Sequence, residues 1–186
     1  MANISRLSVG RAPARMNWTG LVLIVVGFWL SSSLLLDFLM MPMMYASGMM
    51  SEPHFATAGY SMFWLFNRVE VLCAATALSG LLVVRWQQRN HSQQFAVLDR
   101  GASSRWAMAL GTVLLAIALI CTYLLTPEMS ALGIHLSNPS SVATFSSTVP
   151  GEMNYLHFLY WALEVLKLCA AGLLAKLCYH DLIEHT

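Results

Sequence analysis

Apolar residues run almost unbroken through four stretches of the chain, 18–45, 60–84, 106–126 and 155–179, with aromatic residues at or near their ends. None of the four shows the alternation of a half-buried strand. A segment apolar on every face and about 20 residues long matches the hydrocarbon thickness of a bilayer when coiled as an α-helix. The pattern therefore predicts four membrane-spanning helices and an all-α, four-helix bundle. A basic N-terminus (1–17) precedes the transmembrane domain (18–179), and a short tail (180–186) follows it.

Composition agrees with that reading. Of 186 residues, 58% are hydrophobic and 10% charged, against roughly 25% charged in soluble domains. Four spans use most of the length and leave no room for a separate soluble domain. A net charge of +1 argues nothing about nucleic acid, and with no basic patch outside the membrane flanks no nucleic-acid partner is expected. Cys73, Cys121, Cys169 and Cys178 all fall in spans and form no C-x-x-C pair, which makes them small packing residues.

Charge in the connecting segments predicts orientation. Arg6, Arg11 and Arg15 precede the first span, and Arg85, Arg89, Arg100 and Arg105 lie between the second and third. Segments 46–59 and 127–154 contain no Lys or Arg. The positive-inside rule then places both termini in the cytoplasm. Trp18, Trp86, Trp106 and Tyr179 would mark the inner interface, and Tyr45, Tyr60 and Tyr155 the outer one. The basic start and long apolar run suit a retained signal-anchor better than a cleaved signal, because Asp37 and Pro42 interrupt the run.

The two halves look like copies. Pro42-Met-Met-Tyr-Ala-Ser-Gly48 and Pro127-Glu-Met-Ser-Ala-Leu-Gly133 share P-x-M-x-A-x-G at the same membrane boundary. Glu70-Val-Leu with Cys73-Ala-Ala parallels Glu164-Val-Leu with Cys169-Ala-Ala, two residues further apart. Two tandem helical hairpins of one orientation follow, related by an axis along the membrane normal. Pro42 and Pro127 are expected to kink or end their helices, with Gly48 and Gly133 as stops. Small residues on the second span (Ala74, Ala75, Ala77, Ser79, Gly80) and the fourth (Ala170, Ala171, Gly172) predict close helix contact.

Charge inside the spans is the main chemical signal. Each ionisable side chain at mid-bilayer costs about 2.5–3.5 kcal/mol on insertion scales, so each needs a reason. At about 1.5 Å per residue, Asp37, Arg68, Glu70 and Glu164 reach one level near the midplane, with Lys167 one turn deeper. The expected pairs are Glu164 with Lys167 at i, i+3, and Arg68 with Asp37 between the first two spans. Glu70 then takes Lys167 or a proton, since three carboxylates face two cations. Asn67 would line the site beside Glu70, with His157 at its mouth. These charges either fix helix order, form a proton, ion or solute site, or meet another subunit.

Other chemistry is thinner. Met40, Met41, Met43, Met44, Met49 and Met50, with His54, His135 and His157, bring thioethers and imidazoles to one side, a set that suits copper(I). Packing at a kinked helix end accounts for the methionines, and an interfacial hydrogen bond for His157, which could otherwise ligate a pigment. No metal site or cofactor is expected. No nucleophile–base pair, phosphate loop or zinc spacing occurs, so no catalytic residue is assigned and no enzyme is expected.

Gly27-Phe-Trp29, Asp37, Pro42, Gly59-Tyr60, Phe66-Asn67-Arg68, Thr126-Pro127 and Leu156-His157 together resemble the transmembrane-protein-205-like family, a four-helix membrane domain of unknown function. The run Leu-Asp-Phe, Met-Pro, Ala-Gly-Tyr and Phe-Asn-Arg-Val-Glu is similar to cyanobacterial members. The resemblance covers residues 18–179 and implies a thylakoid or plasma membrane. It also implies an accessory or assembly role beside a larger, photosynthetic complex, with other membrane-protein subunits or further copies of the chain as partners. The alternative function is a small oligomeric transporter or channel with a midplane carboxylate site.

Overall fold

Helix formation begins at Asn17, whose side chain accepts a hydrogen bond from the Gly20 backbone N–H at 3.1 Å and caps the first free turn. In the computed structural model, residues 17–49, 55–91, 99–137 and 149–183 are described. They form α1 (Trp18–Leu35), a π-helical turn (Leu36–Met40), α2 (Met41–Ala46), α3 (Phe55–His91), α4 (Asp99–Ile120), a second π-helical turn (Cys121–Leu125), α5 (Thr126–Ser137) and α6 (Val149–Ile183). Four segments are long and apolar enough to cross a membrane: Trp18–Met44, Thr57–Gln87, Arg105–Leu132 and Asn154–Ile183. The predicted four-helix bundle is the observed fold, and it is that of an integral membrane protein.

The four spans pack as a square. α1 lies against α3 and α6, and α4 lies against the same two, so the first and third spans occupy opposite corners. The core is built from small and branched side chains: Val22, Val26, Ala74, Ala77, Leu114, Ala118, Ala170, Ala171 and Leu174. Ile24, Phe28, Leu72, Phe158 and Leu166 are exposed around the outside, where a bilayer would meet them. Hydroxyls on that surface are satisfied within their own helices: Ser31 donates to the Gly27 carbonyl, Ser32 to Phe28, Thr76 to Leu72 and Thr112 to Met108. That back-bonding suits an environment without water.

Neither proline ends its helix, contrary to one expectation from sequence. The chain stays helical past Pro42 to Ala46 and past Pro127 to Ser137. A π-helical turn precedes each proline, with Met41 N–H bonding the Leu36 carbonyl and Thr126 N–H the Cys121 carbonyl. The extra residue per turn redirects the carbonyls that the pyrrolidine ring would otherwise strike. Gly48, at φ +72°, does follow the end of α2, whereas the helix runs through Gly133.

The internal correspondence extends from motif to packing. The interval from Leu36 to Cys121 equals that from Pro42 to Pro127, so both π-helical turns sit at one place in the repeat. Val22, Val26, Trp29, Ser33 and Leu36 are buried, as are Ala107, Gly111, Leu114, Ala118 and Cys121 at that same interval. In the other pair of spans, Glu70, Ala77 and Gly80 correspond to Glu164, Ala171 and Leu174 at one constant spacing. That spacing pairs buried Cys73 with buried Lys167 and leaves Cys169 exposed, so the Cys-Ala-Ala match is out of register.

Candidate functional site

Four of the five predicted intramembrane charges converge at the centre of the square. Asp37, Glu70, Glu164 and Lys167 are 7%, 1%, 2% and 1% exposed. They come from three parts of the fold: Asp37 from the first π-helical turn, Glu70 from α3, and Glu164 and Lys167 from α6. Lys167 Nζ pairs with Glu70 Oε1 and, at 2.6 Å, with Glu164 Oε2. The i, i+3 pair on α6 is as expected, because the lysine side chain leans back toward its helix N-terminus.

Glu70 has the most hydrogen-bond donors of the three carboxylates. Besides Lys167, its Oε1 accepts from Trp29 Nε1 at 3.0 Å and from the Ser33 hydroxyl at 3.1 Å. Both donors stand on α1, one and two turns below Asp37. Trp29, Ser33 and Asp37 recur every four residues, a polar stripe along one face of an apolar helix. That spacing was visible in the sequence and identifies two site residues that charge alone passes over.

Arg68 is not in the cluster, and its expected pair with Asp37 does not form. The side chain is exposed on the outside of α3 and stacks over the Trp64 ring, 3.9 Å from its centroid. Two positions separate Arg68 from Glu70, which turns them to nearly opposite faces of one helix. Asp37 instead lies beside Glu164. The central balance is thus three carboxyls to one lysine rather than three to two.

Asn67 is fully buried, but toward the third span. Its Nδ2 donates to Thr126 Oγ1 at 2.6 Å, and that hydroxyl donates to the Cys121 carbonyl at 2.8 Å. The Thr122 hydroxyl donates to the Ala118 carbonyl at 2.6 Å and lies 3.3 Å from the Asn67 carbonyl. The second π-helical turn is therefore tied to α3 by polar contacts. His157 occupies the Glu164 face of α6 two turns nearer the helix N-terminus and is exposed. Phe63 and Tyr160 meet edge to face, with centroids 5.9 Å apart.

Of the methionine and histidine set, Met40, Met43 and Met49 are exposed, whereas Met50 and His54 lie outside the described residues. Among the described residues, Asp37 Oδ2, Asn67 Oδ1, Glu70 Oε2 and both Glu164 oxygens are buried without a hydrogen-bond donor, Glu164 Oε2 having only its ion-pair contact with Lys167. Comparison with known proteins yields no matching family model, curated protein or solved structure.

Proposed function

We propose that this chain is a small transporter or channel that moves protons, or a solute coupled to them, through the central carboxyl cluster. One observation carries the reading: the midpoint of the bundle holds three carboxyls and a single lysine, enclosed by protein on every side. A helix-ordering ion pair needs one acid and one base. Two further carboxyls in a desolvated core raise the electrostatic cost unless they bind something positive. The alternation of π-helical turns and prolines beside the cluster supplies backbone that can rearrange without breaking a regular helix.

The test is flux. Purified protein in liposomes should collapse an imposed proton gradient, read by an entrapped pH dye, and Asp37→Asn should slow the collapse at least tenfold. Wild-type protein that leaves the gradient as stable as empty liposomes do would retire the reading.

An accessory or assembly role is favoured by a different observation, Arg68. A guanidinium exposed within a span costs about 2.5–3.5 kcal/mol, and its stacking on Trp64 offsets about 0.5–2 kcal/mol. A carboxylate on another membrane subunit would supply the remainder. On this reading Arg68→Ala lowers the abundance of a co-purifying complex and leaves the melting temperature of the isolated protein unchanged. Membership of the transmembrane-protein-205-like family, and a thylakoid or plasma-membrane location with cytoplasmic termini, are proposed on the motifs and flanking charges alone.

A further inference from the structure

We propose that Asp37 and Glu164 share one proton as an acid dyad, the exchangeable site of the cluster, while Glu70 stays ionised against Lys167. The inference deepens the transport reading and takes its location from it.

The division of roles follows from where donors stand. Glu70 Oε1 has three: Lys167 Nζ, Trp29 Nε1 and the Ser33 hydroxyl. Three donors on one oxygen stabilise the charged form of that carboxyl. Glu164 holds the corresponding place in the second half of the chain, but the residues corresponding to Trp29 and Ser33 there are Leu114 and Ala118. Neither has a side-chain donor. Glu164 is left with Lys167 on one oxygen and no hydrogen-bond donor on the other.

Asp37 completes the arrangement. Its carboxyl lies beside that of Glu164, and its Oδ2 has no donor among the described residues. Two adjacent carboxylates repel, whereas one proton between them removes the repulsion and makes a hydrogen bond. The titratable groups facing the pair are Glu70 on α3, Cys121 in the second π-helical turn, and Tyr160 and Lys167 on α6. Among them Lys167 is the one cation, and it is divided between Glu70 and Glu164. A single proton on the pair halves the excess negative charge of the three carboxylates over Lys167, and it is the smallest ligand that can do so. Asp37 is also the most exposed member of the four and stands on a π-helical turn, which makes it the member placed to exchange that proton.

Infrared spectroscopy of the purified protein in lipid reads this directly. Wild type should show the C=O stretch of a protonated carboxyl, shifted down in heavy water. Asp37→Asn and Glu164→Gln should each remove it, and Glu70→Gln should leave it in place. The proposal is overturned if the wild type lacks the band or if Glu70→Gln alone removes it. It is overturned equally if sodium chloride in place of choline chloride abolishes the band, because a metal cation then occupies the site. Should Asp37→Asn fail to fold, carbon-13 labelling of aspartate in the wild type must shift the band or a hydrogen-bonded partner band. The outcome is separable from that of the flux assay. A band without flux leaves the dyad standing and removes transport, and flux without a band does the reverse.

Discussion

Lys167→Met is expected to leave most of the protein unfolded or aggregated after extraction, the largest effect of any single change in the bundle. Lys167 is 1% exposed and pairs with two carboxylates on two different spans. Removing one partner of a buried ion pair costs about 3–5 kcal/mol, because the other charge stays behind without water. That is comparable with much of the net stability of an ordinary domain, about 5–15 kcal/mol. The partner variant separates charge from packing. Glu70→Gln combined with Lys167→Met removes one orphaned carboxylate and keeps the Trp29 and Ser33 hydrogen bonds, so the double variant should recover a large share of the loss. Thermal unfolding in a mild detergent, followed by the folded peak in size exclusion, measures both. A Lys167→Met protein that melts with the wild type would mean that the lysine contributes no net charge compensation.

The second large effect is steric. A Cβ built on Gly80 would stand 2.5 Å from Val22 Cγ2, well inside contact distance. Val22 is itself fully buried. Gly80→Ala should therefore cost about 1–3 kcal/mol through forced separation of α1 and α3, and Gly80→Leu more. The same seam carries the Trp29–Glu70 hydrogen bond at 3.0 Å, about three turns along α3, so spreading it disturbs the cluster as well as the packing. Val22→Ala added to Gly80→Ala removes the methyl that is struck and should restore most of the melting temperature. A neutral Gly80→Ala would mean that α1 and α3 do not depend on close contact at this position.

Several site residues were legible before any coordinates. Asp37, Glu70 and Glu164 stand at one depth, with Lys167 one turn deeper, because helix rise is regular and the spans are anchored by their ends. The i, i+3 spacing of Glu164 and Lys167 makes their contact a local matter. Arg68 shows where that reasoning stops. Depth puts it level with the others, but depth says nothing of azimuth, and two positions along a helix are enough to send a side chain out of the bundle. The prolines show a second gap. A missing N–H predicts a break, yet a π-helical turn absorbs the clash and the helix continues, an option open wherever the neighbouring helices keep the backbone packed.

Hydropathy and length along the chain are sufficient to establish four membrane-crossing helices, since the bilayer imposes one repeat distance and tolerates no unpaired backbone. Recurrence of P-x-M-x-A-x-G is sufficient to suggest two related halves. Which side chains share a centre depends on packing between distant segments. Folding brings Asp37 to Glu164 and Lys167 to Glu70, and it turns Arg68 away. The physical reason is rotational. Each helix reaches its place with a rotation set by close contacts such as Gly80 on Val22, and that rotation selects the few residues that face inward.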